Sequence, residues 1–187
     1  MKPDTYEIER VLAEADCLFT AEEVEAALDR MGSAITARLA AANPVVLCVM
    51  HGGLVVTGRL LPRLLFPLET GYLHATRYGH EFCGSHLDWR VRPAEDLRGR
   101  TVLLVDDILD EGTTLAAVID YCSTEGATEV LTAVLVNKGH DRKSRPGLTG
   151  DFVGLVSPDR FLFGCGMDYK GYWRNAPGIY AVKRLYR

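Results

Sequence analysis

Three aspartates at the end of one apolar run are the residues in this chain best placed to do chemistry. Asp106 and Asp107 directly follow the apolar residues 101–105, and Asp110 comes three positions later, just before Gly112 and two threonines. The run has the length and the β-branched content of a buried strand. Adjacent carboxylates suit sugar hydroxyls or a divalent cation. The stretch therefore predicts a strand end that binds a polar ligand.

The segments that follow the aspartates predict a βαβ unit. An amphipathic stripe predicts a helix that ends near Gly126, with its apolar side formed by Leu115, Val118, Ile119 and Cys122. Residues 130–136 form a second apolar run, which predicts a second strand. A right-handed crossover makes the two strands parallel, and ligands of such sheets bind at the carboxyl ends of the strands, where the aspartates lie.

The turn between the aspartates and the helix has the composition of a phosphate-binding loop. Gly112 lets the backbone approach a ligand, the N–H groups of residues 111–114 lie at the predicted helix start, and Thr113 and Thr114 add hydroxyl donors. A phosphorylated sugar would satisfy these donors and the aspartates together. A turn in which these residues only cap the helix is the simpler alternative. A receiver domain fits poorly because only 80 residues follow Asp107, and the Walker A pattern is absent.

Residues 102–114 resemble the phosphoribosyl-pyrophosphate (PRPP) motif of type I phosphoribosyltransferases, in which two acidic residues precede I-[IL]-D-x-G-x-T. The resemblance implies an α/β fold with a mostly parallel sheet of about five strands, helices on both faces and a small hood. We expect one domain over residues 1–187, with its core at about 21–150 and the hood formed by 1–20 and 151–187. Within this motif the resemblance implies ribose binding by Asp106 and Asp107 and 5-phosphate binding by Asp110, Glu111, Gly112, Thr113 and Thr114.

A second strand end carries the sequence His51-Gly52-Gly53. A capping box at Thr20 predicts a helix over 20–41, a buried strand follows at 45–50, and a helix bent at Pro62 is expected over 54–66. The resemblance implies that the His51–Gly52 loop binds pyrophosphate through backbone N–H groups and that the Met50–His51 peptide is cis. Relatives usually carry Lys or Arg where this chain has His51.

The C-terminal third resembles the hypoxanthine-guanine branch of the same family. Lys138 stands 28 residues beyond Asp110, the spacing at which that branch has a lysine that donates to the 6-oxo group of the purine. Residues 157–169 match its P-D-x-[FW]-V-x-G-x-G-x-D-Y segment at nearly every fixed position. By resemblance, Phe161 stacks on the purine and Leu162 offers backbone groups to it. Asp168 would bind Mg²⁺ together with Asp106 and Asp107, and Arg174 would contact pyrophosphate.

The polar segment at 77–86 has two interpretations. Its His80, Cys83 and His86 have a spacing that could bind zinc, although no fourth ligand stands nearby. The resemblance instead implies a lid that closes over the site, with Tyr78 matching the aromatic residue of the family's loop. Arg77 replaces the serine that usually precedes that tyrosine, and we expect it to contact pyrophosphate.

Composition limits the class of protein. A net charge of −4 over 187 residues argues against nucleic-acid binding. Neither a signal-peptide pattern nor an apolar run of membrane-spanning length is present, and five scattered cysteines suit a reducing compartment, so we expect a cytoplasmic protein without membrane contact. The family usually forms homodimers or homotetramers.

The reaction implied by the resemblance belongs to purine salvage. The 5-phosphoribosyl group of PRPP would pass to N9 of hypoxanthine and/or guanine, with Mg²⁺, to give IMP or GMP and pyrophosphate. Asp110 is the expected catalytic acid or base at the purine N7, either with a raised pKa or as a carboxylate that stabilises a protonated base. A xanthine-preferring enzyme and a non-catalytic PRPP-sensing regulator of the same fold remain alternatives.

Overall fold

The computed structural model describes residues 4–77 and 87–183. Its helices are α1 (Thr5–Glu14), α2 (Ala21–Leu39), α3 (Gly53–Leu60) and α4 (Thr113–Thr124), with a 3-10 turn at Leu61–Arg63. Its strands are β1 (Asp16–Phe19), β2 (Val45–Val49), β3 (Glu69–Arg77), β4 (Leu87–Val91), β5 (Thr101–Leu109), β6 (Glu129–Lys138), β7 (Phe152–Ser157), β8 (Leu162–Phe163) and β9 (Ile179–Ala181).

A six-stranded sheet in the order β4-β3-β2-β5-β6-β7 forms the centre of the molecule. Five neighbouring strands, from β3 to β7, are parallel, and β4 adds an antiparallel edge. The predicted βαβ unit is confirmed as β5-α4-β6. β5 is longer than predicted, because its ladder with β6 continues as far as Leu109 opposite Asn137. Asp106 and Asp107 therefore lie within the strand rather than after it.

Alternate residues of β5 pack on opposite faces of the sheet, as the period of a strand requires. Leu103 and Val105 face the core formed with α2 and α3, whereas Val102 and Leu104 face the core formed with α4. The predicted apolar stripe of α2 is buried against the first core; its members are Val24, Leu28, Met31, Ile35 and Leu39. Because helices cover both faces of the sheet, a ligand site is expected at the carboxyl ends of the parallel strands.

Of the two helices predicted on either side of β2, the first is confirmed at its start and the second is shorter than predicted. The capping box of α2 is confirmed, because the Thr20 hydroxyl accepts from the N–H of Glu23 while the Glu23 carboxylate accepts from the N–H of Thr20. The helix expected over 54–66 is shorter than predicted: α3 ends at Leu60, and a 3-10 turn follows. Pro62 has no N–H to donate to the preceding turn, so the α-helix stops rather than bends there.

A small three-stranded antiparallel sheet, β1-β9-β8, joins the two ends of the described chain above the large sheet. Together with α1 and the loop 164–174, it forms what we call the hood. The N-cap Asp4 and the buried Ile8 favour α1, a helix that the sequence analysis did not predict. β7 belongs to the large sheet, so the core extends to Ser157, beyond the expected boundary at 150.

Helix α1 is fastened to the hood loop by side-chain contacts. The Trp173 indole N–H donates to the Ile8 carbonyl at 2.6 Å, and the Tyr169 hydroxyl lies 2.8 Å from the Glu7 carboxylate. These contacts connect the start of the described chain to the loop that carries two of the predicted site residues. Among the described residues, none of the helices has both the length and the apolar character needed to cross a membrane.

Candidate active site

A cavity of about 510 Å³ opens at the carboxyl ends of β2, β5 and β6, beneath the hood. Most of the residues predicted from the sequence line this one cavity, and they come from four separate segments of the chain. They are Gly52, Asp106, Asp107, Asp110, Glu111, Gly112, Thr113, Thr114, Lys138, Phe161, Leu162, Asp168 and Arg174. His51 is exposed and is not among the described residues that line the cavity.

The loop 110–114, here called the cradle, brings backbone N–H groups to one end of the cavity. Gly112 is the N-cap of α4 and has φ 77°, a left-handed conformation that glycine adopts without strain. It offers no side chain to cap the helix, and the first N–H groups of a helix have no partner within it. Thr113 and Thr114 line the cavity beside these donors. The cradle can therefore bind an anion such as phosphate.

Asp106 and Asp107 form a crowded acidic pair in the middle of the cavity. Burial raises the pKa of Asp106 well above its usual range, and the charge of Asp107 adds to the effect. Burial also raises the pKa of Asp107, although Asp106 and Arg174 oppose the shift. Two carboxyls held in this way bind cations or hydroxyl donors readily, because such a ligand offsets their mutual repulsion.

The His51–Gly52 loop packs directly against the acidic pair. The predicted cis peptide between Met50 and His51 is present. A Cβ on Gly52 would lie 2.3 Å from an Asp107 carboxylate oxygen, and one on Gly166 would lie 2.3 Å from the Gly52 carbonyl. Only glycine fits between these parts. The His51 ring itself turns to His74, with the two ring centres 4.4 Å apart.

Arg174 connects the hood to the acidic pair. Its guanidinium donates to the Asp168 carboxylate and to the Gly166 carbonyl, both at 2.5 Å, and lies 3.9 Å from Asp107. The second carboxylate oxygen of Asp168 accepts from the N–H of Gly171 at 2.7 Å. Arg174 is thus the positive charge at this end of the cavity, and Asp168 is the carboxylate that fixes it.

The carboxylate donors fit a Mg²⁺ ion in chemical type. Asp106, Asp107 and Asp168 line the same cavity and supply hard oxygen ligands, which is the ligand type that Mg²⁺ prefers. A cation would also relieve the repulsion within the buried pair. Asp168 would exchange its contact with Arg174 for the ion.

Asp110 lies between two donors, one at the end of β6 and one just after it. One of its oxygens is 2.6 Å from the Lys138 ammonium, and the other is 2.7 Å from the Nε2 atom of His140. Burial acts to raise the pKa of Asp110, but these two contacts outweigh it, so the pKa lies below its usual value. The expectation of a raised pKa was therefore wrong for the ligand-free protein. The other expected state, an ionised carboxylate, agrees with the contacts.

His140 and Lys143 are site residues that the sequence analysis missed. The Lys143 ammonium lies 2.7 to 3.1 Å from four oxygens at the ends of β5 and β6; they are the carbonyls of Leu109, Asp110 and Lys138 and the side-chain oxygen of Asn137. Burial lowers the pKa of Lys143. The sequence signal was the polar run after Lys138, which by itself also suits a solvated loop.

The remaining cavity wall offers apolar and aromatic surface. The Phe161 side chain is 55% exposed, whereas Leu162 is buried and pairs with Ala181 of the hood sheet. A second cavity of about 360 Å³ shares Lys138 and Phe161 with the first. An exposed aromatic face beside a buried ammonium suits a flat, polar-edged ring.

Asp110, His140 and Asp159 could in principle hold a metal ion, because their ligand atoms lie within 4.8 Å of one another. However, the Lys138 ammonium already stands 2.6 Å from Asp110 and 3.9 Å from Asp159. We therefore assign no metal to this group. Tyr78, predicted as the lid residue, lies outside the described residues, as do His80, Cys83 and His86 and the side chain of Arg77.

A parallel sheet that carries paired aspartates and a phosphate-type cradle at its carboxyl edge is the arrangement of an α/β protein that binds a phosphorylated ligand. The chain belongs to the phosphoribosyl transferase domain family, whose model matches residues 15–170.

Three known proteins show how far the similarity extends. A hypoxanthine-guanine phosphoribosyltransferase of Bacillus subtilis is 28% identical over 182 residues, which is 95% of each chain. A bifunctional TilS/HprT protein of Listeria innocua is 31% identical over 170 residues, 89% of this chain. This chain covers only 26% of that longer relative's length. A crystal structure of a hypoxanthine phosphoribosyltransferase from Staphylococcus aureus superposes with a TM-score of 0.84 at 22% identity, covering 90% of this chain and 91% of that one.

Proposed function

We propose that this protein is a purine-salvage enzyme that transfers the 5-phosphoribosyl group of PRPP to N9 of hypoxanthine or guanine. One observation supports the proposal above the others: the cradle, the acidic pair and the Lys138–Phe161 wall line the same cavity. A phosphate site, a sugar site and a flat-ring site thus lie in one cavity. The relatives named as hypoxanthine-guanine phosphoribosyltransferases give the same assignment.

The PRPP half of the site binds a sugar carrying phosphate at both ends. The 5-phosphate binds to the N–H groups and hydroxyls of the cradle, and the ribose hydroxyls donate to Asp106 and Asp107. Pyrophosphate is placed at the other end, near Gly52 and Arg174, where backbone N–H groups and a guanidinium can hold its charge. His51 is exposed, so its contribution to pyrophosphate binding comes through its backbone.

The purine half selects a 6-oxo ring. Phe161 presents an aromatic face for stacking, and Lys138 donates to the 6-oxo oxygen. Adenine carries an amino group at that position, which would meet an ammonium that can only donate, so adenine is rejected. The purine oxygen replaces one Asp110 oxygen as the acceptor for Lys138, and this exchange leaves the Asp110 oxygen free to face N7.

Catalysis is mainly positioning and charge stabilisation. The bond between C1 of the ribose and pyrophosphate breaks as N9 bonds to C1, and N7 loses its proton. Asp110, held as a carboxylate, accepts that proton, and Arg174 stabilises the departing pyrophosphate. Mg²⁺ bound by Asp106, Asp107 and Asp168 would neutralise charge on the leaving group when it is present.

The proposal also covers the cellular location and the oligomeric state of the enzyme. We infer a cytoplasmic protein, because the described cysteines are free thiols spread over four separate segments, as a reducing compartment allows. A homodimer or homotetramer is proposed from the family resemblance, with PRPP and a 6-oxopurine as small-molecule partners and no nucleic acid.

The decisive experiment measures turnover from the ultraviolet absorbance of the purine. Purified protein, PRPP and Mg²⁺ are assayed separately with hypoxanthine, guanine, xanthine and adenine. Turnover with hypoxanthine or guanine, lost when the metal is chelated and absent with adenine, is the expected result. Turnover mainly with xanthine would favour the xanthine-preferring alternative. PRPP binding without turnover of any base would favour a sensor.

A further inference from the structure

His140 contacts the proposed catalytic carboxylate but does not itself line the cavity among the described residues. Its side chain is only 5% exposed, and its Nε2 atom lies 2.7 Å from one oxygen of Asp110. Its other ring nitrogen, Nδ1, accepts from the backbone N–H of Arg142 at 3.1 Å. His140 is not among the described residues that line the cavity, whereas Asp110 is. A nearly buried imidazole whose two nitrogens are both hydrogen-bonded has a fixed orientation.

We propose that His140 is a positioning residue for the transfer reaction, which holds one oxygen of Asp110 so that the other faces Lys138 and the purine N7. The inference rests on the proposed function. It adds a residue that contacts neither PRPP nor the purine.

The hydrogen bonds of the ring define its tautomer. Because Nδ1 accepts from the Arg142 N–H, it carries no proton, and Nε2 is the protonated nitrogen that donates to Asp110. His140 therefore acts on Asp110 as a neutral donor and has no free lone pair with which to take the purine proton. Its role is to orient Asp110, and the proton from N7 stays on that carboxylate.

The two carboxylate oxygens of Asp110 have different hydrogen-bond partners. Oδ1 contacts His140, while Oδ2 contacts Lys138 at 2.6 Å. In the proposed reaction Lys138 moves its donor to the purine oxygen, so Oδ2 loses its partner when the base arrives. His140 stays in place and prevents the freed carboxylate from rotating away. The carboxylate then meets N7 with one oxygen already oriented.

Lys138 and His140 reach Asp110 from the same short segment. They stand two residues apart at the end of β6, and the N–H of His140 donates to the Lys138 carbonyl at 3.2 Å. The other charged groups around Asp110 are Lys143, Arg142, Asp159 and Glu111. Among the described residues, only Lys138 and His140 donate side-chain hydrogen bonds to the Asp110 carboxylate.

Three substitutions at this position separate orientation from packing. His140→Leu removes both ring contacts. In His140→Gln, the side-chain amide can place an N–H near the position of Nε2, whereas in His140→Asn the amide matches Nδ1 and is too short to reach Asp110. Arg142→Ala serves as the loop control, because it keeps the N–H used by His140 and removes an exposed ion pair with Asp159 and a charge that makes no hydrogen bond to Asp110.

The test measures single-turnover rates with hypoxanthine and the KM for PRPP. We expect His140→Leu and His140→Asn to lower the rate about tenfold, the loss typical of one hydrogen bond to a charged group. The KM for PRPP should change less than twofold, His140→Gln should recover to within about threefold of the wild type, and Arg142→Ala should match it. Equal rates for the Gln and Asn variants, or a wild-type rate in the Leu variant, would overturn the proposal. If the Leu variant does not fold, the Gln–Asn comparison decides.

A second measurement does not depend on turnover. Titration of the Asp110 carboxyl, followed by ¹³C NMR, should give a higher pKa in His140→Leu and His140→Asn than in the wild type, because the His140 contact lowers that pKa. His140→Gln should stay near the wild-type value. An inactive wild type would defeat the proposed reaction, while an unshifted titration in an active enzyme would defeat the role of His140 alone.

Discussion

The two ends of the active-site cavity hold their ligand groups by different means. At the phosphate end, backbone N–H groups and Gly112 form a cradle whose shape follows from the turn between β5 and α4. At the purine end, the working groups are side chains, and Asp110 and Lys138 neutralise each other across 2.6 Å. The first end is preformed, whereas in the proposed function the second exchanges an ion pair for a contact with the base.

This difference predicts that the two ends of the site can be altered separately. A preformed anion site costs little to fill, because its donors are already aimed at the ligand. At the other end Lys138 and Asp110 satisfy each other, and in the proposed function a 6-oxopurine takes over the contact with Lys138. Variants that affect one end should therefore leave the affinity of the other end nearly unchanged.

Asp110→Asn should give the largest effect. The amide cannot accept the N7 proton as a carboxylate does, and it leaves the Lys138 ammonium without its anionic partner. We expect turnover with hypoxanthine to fall by roughly 100-fold or more, measured by steady-state and single-turnover kinetics. A loss below about threefold would show that Asp110 does not transfer a proton.

Lys138→Gln should act at the purine end alone. A charged hydrogen bond to the 6-oxo group is lost, and such bonds stabilise by about 1.5 to 3 kcal/mol, so the KM for hypoxanthine should rise about 10- to 100-fold. The KM for PRPP should stay within about twofold. Comparable increases for both substrates would mean that the two ends are not independent.

Gly112→Ala should act at the phosphate end alone. A Cβ there would lie 2.5 Å from the side chains of Leu109 and Leu148, at a φ of 77°, so the cradle must distort. A cost of about 1 to 2 kcal/mol for that conformation predicts a 5- to 30-fold weaker binding of PRPP, measured by calorimetry. Hypoxanthine affinity in the presence of saturating PRPP should change little.

Gly99→Ala is the matched control for the cradle variant. Gly99 also has a positive φ, 71°, but a Cβ there would meet nothing within 4 Å. It precedes the opposite end of β5, so the substitution introduces similar backbone strain far from the cavity. PRPP binding like that of the wild type is expected. A similar loss in both variants would attribute the effect to general destabilisation.

Asp107→Asn should have the smallest effect, and it concerns stability. Burial raises the pKa of Asp107, so over the pH range above the usual carboxyl pKa the folded protein binds more protons than the unfolded chain. Stability therefore falls as pH rises through that range. The amide removes this penalty, so at neutral pH we expect a higher melting temperature. The increase should be about 2 to 4 °C for each kcal/mol added to the free energy of unfolding. PRPP binding should be weaker.

Calorimetry across pH tests the sign of this effect. The gain in melting temperature should shrink towards acidic pH, where the carboxyl is protonated in both states. Asp120→Asn, which removes an exposed carboxylate paired with Arg145, should show no gain at any pH. A lower melting temperature of Asp107→Asn at neutral pH would mean that the contact with Arg174 outweighs the cost of burial.

The parts of the site whose cause is local could be predicted from the amino-acid pattern, whereas residues such as Lys138, Asp168 and Arg174 were expected only through the family resemblance. Residues 101–114 contain a strand period, a turn glycine and a helix start, so the amino-acid pattern alone is enough to place β5, the cradle and α4. The predicted C-terminal end of α3 was wrong by a few residues, because a proline can either bend or end a helix. For α1 the sequence contains a helix cap, Asp4, but a single buried residue, Ile8, gives too little apolar periodicity to predict the helix.

The contacts that could not be predicted from the sequence join segments that are far apart in the chain. His140 meets Asp110 across 30 residues, and Lys143 meets Leu109 across 34. The loop that carries them has no apolar period, so nothing local fixes its path. The ionised state of Asp110 depends on these contacts, and for that reason the sequence left both a raised pKa and a carboxylate open.

The Lys143 ammonium, with its four oxygen neighbours at the ends of β5 and β6, has the surroundings of a bound potassium ion. Here the cation is covalently part of the chain. It cannot be washed out, exchanged or diluted, and so the ends of β5 and β6, which carry Asp110 and Lys138, are joined by a cation that the surrounding solution does not have to supply.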